Sequence, residues 1–457
     1  MSFTVVESRW PDVWLAATAR GTTICGDFLA ATALALALQG AGAGGLAVSG
    51  LLLAATLPLV VLAPLAGRLA DRVDSRTLLV TVGLAQAAIC ALLALVDHPV
   101  LVVGLVALLA CGLAVTQPCL AALLPAMVRP SDLPQASAIS QTAVSLGALG
   151  GPVLAGLLVG QFGTRVPLLL DAATYLALVV AGLLLRTRRG GRRTNAVVTP
   201  ADPRGRAPAW RLRRDPLMLV MVVSTAVVIA AIGGINVIEV FFIRETLNGS
   251  PTTYGLVSAA WMAGMLPGGW LAARLAHRLD DDGALVRGVL LTLAGCSLMV
   301  LLAAMVPGAG LLVPLWLVAG AANGGENVFA NLLTARRVPE AMRARAYASY
   351  GAAVQGGSMT GFLVGGALLT VVPPRPLIAA AGGGGLLVVL VFVPVVARAV
   401  RRPSPTDPGG PQHQRWTGPD AGLATLGGPA EPRPGAGDTV GSWLSASHVP
   451  GSGTSSS

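Results

Sequence analysis

The segment AGRLADRVDSRTLLV, Ala66 to Val80, meets AARLAHRLDDDGALV, Ala272 to Val286, when the chain is shifted by 206 positions, with eight identities in fifteen. Each segment lies between two long apolar runs, and each falls between the second and third runs of a set of six. A duplicated six-helix half accounts for both facts. Repeats of this kind, lying across a central linker, are how many membrane transporters are built, with a path at the interface of the halves. Chance likeness of short Arg/Leu/Ala loops is the alternative, and the equivalent places in the span count weigh against it.

The composition of the rest points the same way. Of 457 residues 54% are hydrophobic and only 11% charged, with a mean hydropathy of +0.73. A soluble domain needs roughly a quarter of its residues charged, so the bilayer is the solvent this chain is written for. Aromatics make up 4% while Gly numbers 57, which suits close-packed helices and argues against an aromatic-girdled barrel. All 31 basic residues are Arg. They fall between apolar runs and form no stripe with stacking aromatics, so no nucleic-acid partner is expected. The five cysteines sit in apolar stretches without metal-ligand spacing, and no metal site is expected. MSFTVVESRW shows no cleavable signal pattern.

Spanning a hydrocarbon core of roughly 30 Å takes about 20 helical residues. Runs of that length predict spans at 15–38, 47–66, 78–95, 100–127, 136–159 and 167–185, then at 216–243, 254–272, 284–306, 311–333, 344–372 and 377–400. The first hairpin breaks at QGAGAGG, Gln39 to Gly45. The expected organisation is an amino-terminal stretch 1–14, a six-helix bundle 15–185, a linker 186–215 with ten Arg, a second bundle 216–400, and a Gly/Pro/Ser-rich tail 401–457 read as disordered. With the amino terminus in the cytoplasm, 24 arginines fall on the inner side and three (Arg165, Arg244, Arg375) outside. That bias predicts a multi-pass inner-membrane protein with both termini cytoplasmic.

On these residues the chain resembles a major facilitator superfamily transporter. In GRLADRVDSR, the residues Gly67, Leu69, Asp71, Arg72 and Arg76 match the family's signature between helices two and three, while Asp74 and Ser75 depart from it. The resemblance implies twelve helices in two pseudo-symmetric six-helix bundles, and a latch on the cytoplasmic side formed by Gly67, Asp71, Arg72 and Arg76. In the second copy His277 replaces the Asp and Ala273 the Gly, so a weaker latch is implied there. A second match, GALGGPVLAG, is similar to the Gly-Pro signature of facilitator antiporters through Gly147, Gly151, Pro152 and Gly156; Ala155 and Ala138 stand where that signature has glycine. Packing alone is the alternative role, and Gly357, Gly361, Gly365 and Gly366 on span eleven echo the pattern. Arg20, Gly26-Asp27 and LPAMVRPSDLPQASAISQ resemble the exporter branch that includes siderophore and macrolide efflux proteins.

Ionisable side chains in mid-membrane are costly and are normally kept for a pathway or a partner. Asp27, Glu239 and Glu326 are the candidates for proton coupling, in that order. A fixed Arg20–Asp27 ion pair is the alternative for the first, and Asp171 reads as interfacial. Arg20, Gln117, Gln141, Ser145, Asn323, Asn327 and Gln355 are the candidate cavity residues; helix-to-helix hydrogen bonding is their competing role. Rocking halves would expose a cavity lined by spans one, four, five, seven, ten and eleven.

No P-loop exists, since the chain has no Lys, and no catalytic constellation stands out. The expectation is therefore a monomeric, non-enzymatic, proton-driven exporter of small molecules, with the lipid bilayer as its surroundings and no cofactor beyond the proton gradient. A nutrient importer and a non-transporting sensor or assembly factor are the rival readings.

Overall fold

The computed structural model describes residues 8–187, 212, 215–276, 278–279 and 281–400. Twelve long helices run through them: α1 Trp10–Gly40, α2 Gly44–Arg72, α3 Ser75–Leu93, α4 Pro99–Met127, α5 Leu133–Phe162, α6 Arg165–Leu184, α7 Pro216–Thr246, α8 Pro251–Ala276, α9 Asp282–Ala303, α10 Leu312–Arg337, α11 Glu340–Leu368 and α12 Pro374–Val400. No strand occurs among the described residues. Ten of the helices are long and apolar enough to cross a membrane; α10 and α11 fall outside that set, being rich in Gly, Ala and polar residues.

The helices outrun the apolar stretches because caps and charged ends extend them past the hydrocarbon. Pro11 and Asp12 open α1, and Asp215 caps α7 by accepting from the Met218 N–H at 3.2 Å. At the first hairpin α1 stops at Gly40 and α2 starts at Gly44, with Gly42 and Gly44 at φ of 68° and 75°. Only glycine takes that backbone cheaply.

The duplication is visible in the helix starts. Those of α1 and α7 lie 206 residues apart, and those of α2 and α8, like α3 and α9, lie 207 apart. Packing repeats as well. Lipid gives helices no hydrophobic reason to associate, so close backbone approach must hold them together. Gly147 and Gly151 bring α5 onto Gly21 and Cys25 of α1, and Gly357 and Gly361 bring α11 onto Ala226 and Gly234 of α7. Farther along, each of these helices crosses to the other half. Gly156 of α5 meets Pro251 and Gly255 of α8, and Gly366 of α11 meets Gly45 and Ser49 of α2.

Span seven is interrupted twice. Gly234, packed on Gly361 and Gly365, ends its first segment; a short piece Ile235–Phe241 follows, and Phe242–Thr246 is wound as a π-helix. Residues 1–7, the tail and nearly all of the linker lie outside the described residues, as does His277.

Candidate functional site

Three hydrogen bonds join described residues of the two halves, and all lie toward the α1–α2 turn. Gln39 donates to Glu245 at 3.1 Å, Ser49 to the Phe362 carbonyl at 2.6 Å, and Thr252 to the Gly156 carbonyl at 3.2 Å. At the opposite end each half is tied within itself. In the first half Asp12 accepts from the Thr187 N–H and hydroxyl at 3.0 and 2.7 Å, linking α1 to the chain just beyond α6. In the second half Arg337 bridges Asp215 at 2.9 Å and Asp282 at 3.0 Å, linking α10 to the starts of α7 and α9.

Beneath the joined end lies a cavity of about 210 Å³ between the halves, lined by Phe28, Ala31, Pro152, Asn236, Glu239, Tyr254, Ser258, Trp261 and Trp316 among others. Its walls come from α1, α2, α5, α7, α8 and α10. Spans four and eleven, expected in the lining, are absent from it, and α2 and α8 take their places. The cause is the crossing pattern: α5 meets α8 and α11 meets α2 where the halves touch, which turns α2 and α8 inward.

Glu239 is 8% exposed, with the Trp316 side chain hydrogen-bonded to it and Oε1 without a partner. Helical spacing ties several polar candidates to the same walls. Gln141 and Ser145 precede Pro152 by eleven and seven residues on α5, Asn323 and Asn327 follow Trp316 by the same intervals on α10, and Arg20 precedes Ala31 by eleven on α1. These intervals return to one helix face, so the polar residues continue the cavity lining toward the linker end. Gln141 is exposed and the other four are half-buried. Asn327 also donates to the Asn323 carbonyl at 2.9 Å.

A second cavity, about 270 Å³, lies within the first half among α1, α2 and α4, with Asp27 on its wall. Tyr175 donates to Asp27 Oδ1 at 2.5 Å. No Arg20–Asp27 pair forms: Arg20 donates to Ser140 at 3.2 Å, one helix away. Asp171 corrects its interfacial reading. It is 0% exposed, accepting from Cys90 at 3.2 Å and from the Thr174 hydroxyl at 3.1 Å. The reason is Gly26, where any side chain would collide with Asp171 and Thr174; the bare backbone lets α6 press its polar face against α1. Asp27 and Asp171 therefore share the α1–α6 contact, Asp171 beside Gly26 and Asp27 bonded to Tyr175. Gln117 follows Ala110 and Leu113 of this cavity by seven and four residues on α4.

Glu326 lies apart from both cavities, 2% exposed, accepting from Tyr350 at 2.5 Å and from Thr225 at 3.5 Å. Gln355 is half-buried on α11 and lines neither cavity. In the signature segment the backbone through Arg72 is helical and only Val73 and Asp74 connect α2 to α3. The expected loop is thus mostly helix. Arg72 is exposed and Arg76 half-buried, while the side chain of Asp71 lies outside the described ones. Gly147, Gly151, Pro152 and Gly156 are all buried at the helix contacts given above.

Sequence reading passed over Tyr175, Tyr350, Trp261 and Trp316. For Tyr175 a signal existed: it stands four residues from Asp171 on an otherwise apolar span, so the two share a face. Among the described residues no cluster of three or more His, Cys, Asp or Glu is placed to hold a metal.

Two pseudo-symmetric six-helix bundles enclosing a cavity define a membrane transporter of the major facilitator fold. The family described as Transmembrane secretion effector matches residues 8–407, and the chain belongs to it. Among solved structures, a nucleoside transporter crystal structure aligns with a TM-score of 0.68 at 14% identity over 84% of this chain and 99% of the other. A bacterial homologue of the iron transporter ferroportin in its inward-facing state gives 0.65 at 16%, over 87% and 100%. A peptide transporter in complex with sulfate gives 0.67 at 14%, over 88% and 96%. No curated protein matches the chain.

Proposed function

We propose that the protein is a proton-coupled exporter of small molecules in the inner membrane, working by alternating access with both termini in the cytoplasm. The carrying observation is the cavity that holds Glu239, capped where the halves are hydrogen-bonded and continued toward the linker end by half-buried polar residues. In the orientation set by the arginine bias the capped end is external. The described arrangement is then the inward-facing state, which would load substrate from the cytoplasm.

Asp27 is the coupling carboxylate in this reading, held by Tyr175 beside Asp171. Two acids on facing helices in lipid surroundings form a site where a proton can bind and leave as access alternates. Arg72 and Arg76, with Asp71 and Gly67, form the cytoplasmic latch of the opposite state. The protein acts as a monomer and needs no cofactor besides the proton gradient.

Everted vesicles test this. Addition of a transported compound should dissipate an imposed proton gradient, and Asp27→Asn should abolish that response while the protein remains folded and inserted. Wild-type proton movement in the Asp27→Asn variant would overturn the assignment. Saturable uptake from the periplasmic side that no pH gradient drives would favour an importer instead.

A further inference from the structure

The central cavity carries one carboxyl group. No Arg or His lines it, and Glu239 is the single ionisable side chain with acidic character among its walls. Arg20, on the continuation of the α1 wall toward the linker end, donates to Ser140 through one terminal nitrogen and leaves Nε without a partner, while Arg244 and Arg375 donate to the Gly249 and Val306 carbonyls. Glu239 Oε1, on a side chain more than nine-tenths buried, has no hydrogen-bond partner. An ionised carboxylate left in this state is expensive in lipid surroundings and calls for a positive charge against it.

The walls say what kind of charge. Trp261 and Trp316 meet edge to face at 6.5 Å between ring centres and 68° between planes, and Tyr254 and Phe28 complete an aromatic rim. Ring faces attract cations most when water is excluded. Asn236 donates one amide N–H to the Gly233 carbonyl, and its side-chain oxygen is an acceptor at the wall. An acceptor, a carboxylate and aromatic faces suit an ammonium N–H and a hydrocarbon body. They offer no cationic side chain to a phosphate, carboxylate or catecholate. At about 210 Å³ the space is below the roughly 300–1,000 Å³ of drug-sized sites, so the ligand is compact.

We infer that this cavity binds a monovalent organic ammonium with an apolar or aromatic body, paired with Glu239 and seated against Trp316. The inference rests on the exporter reading only for the direction of movement; the site itself is a statement about binding. Glu239 then holds a substrate charge, and Asp27 in the separate first-half cavity handles the proton.

Three probes of matched shape separate charge from shape: 4-phenylbutylammonium, 4-phenylbutanol and 4-phenylbutyrate. They are titrated calorimetrically at neutral pH into the full chain in lipid nanodiscs, with empty nanodiscs as the blank. The ammonium should bind at least about tenfold more tightly than the alcohol, with the carboxylate weakest. Glu239→Gln should lower the ammonium to the level of the alcohol and leave the alcohol unchanged, and Trp316→Phe should weaken the ammonium alone. Equal affinities in the wild type, or ammonium binding unaffected by Glu239→Gln, would overturn the site. Proteoliposomes separate this from the exporter reading. Glu239-dependent binding without pH-driven movement leaves the site and sinks the exporter. Movement of another solute without such binding does the reverse.

Discussion

Tyr175 donates its hydroxyl to Asp27 across the α1–α6 contact from a position one helical turn beyond Asp171, so one side chain reaches from the neighbourhood of one acid to the other. Tyr175→Phe keeps the ring and removes the donor. A hydrogen bond to a charged group contributes about 1.5–3 kcal/mol to stability, so the melting temperature should fall modestly and proton-driven transport should fall well beyond what the loss of folded protein explains. Transport rates in everted vesicles check this; an unchanged rate would detach Tyr175 from coupling.

Gly26→Ala tests why α1 and α6 fit together. The added methyl would collide with Asp171 and Thr174, both held by hydrogen bonds. Overpacking of this kind costs about 1–3 kcal/mol. A lower melting temperature of the purified protein is the expected outcome, along with loss of coupling as α6 is pushed away from Asp27.

Gly366→Val tests the closed end. A Cβ there would run into Ser49, whose hydroxyl is bonded to the Phe362 carbonyl, and would lie 2.7 Å from the Gly45 carbonyl. The substitution should separate the halves where they now touch. Electron–electron spin resonance between labels at Ala41 and Thr370, in a cysteine-free background, should show the distance distribution moving to longer values than in the parent.

Arg337→Ala leaves Asp215 without its ion pair and frees the start of α7 from α10. Arg337 is 13% exposed and Asp215 9%, so the loss should approach the lower range for a buried pair, about 3 kcal/mol. Thermal unfolding in detergent should register it, and Arg337→Lys should recover only part, because a single ammonium lacks the guanidinium's several N–H donors for two carboxylates.

How much of this could be read without coordinates depended on how local each signal was. Span number and the pairing of the halves were legible because lipid demands long apolar runs and the Ala66–Val80 segment recurs at Ala272–Val286. Helix ends were less so: residues such as Leu133 and Arg337 lie beyond the apolar core, where caps and ion pairs decide the boundary. Glu239, expected as a coupling acid, lies on the cavity wall, whereas Gln141, Ser145, Asn323 and Asn327 are related to that wall only by helical spacing. The lining was misread for α4 and α11, because which helices turn inward depends on where Gly156 and Gly366 cross to the other half. Asp171 was misjudged for a similar reason. Its burial is set by Gly26 on another helix, and no spacing along α6 reports that.

The shared 206-residue displacement of α1 and α7 places Gly233 opposite Asp27 and Ala33 opposite Glu239. The scaffold thus repeats while these two acids do not, Asp27 standing in one half and Glu239 in the other. A molecule built from two copies of either half would keep the bundle architecture and lose either Asp27 or Glu239.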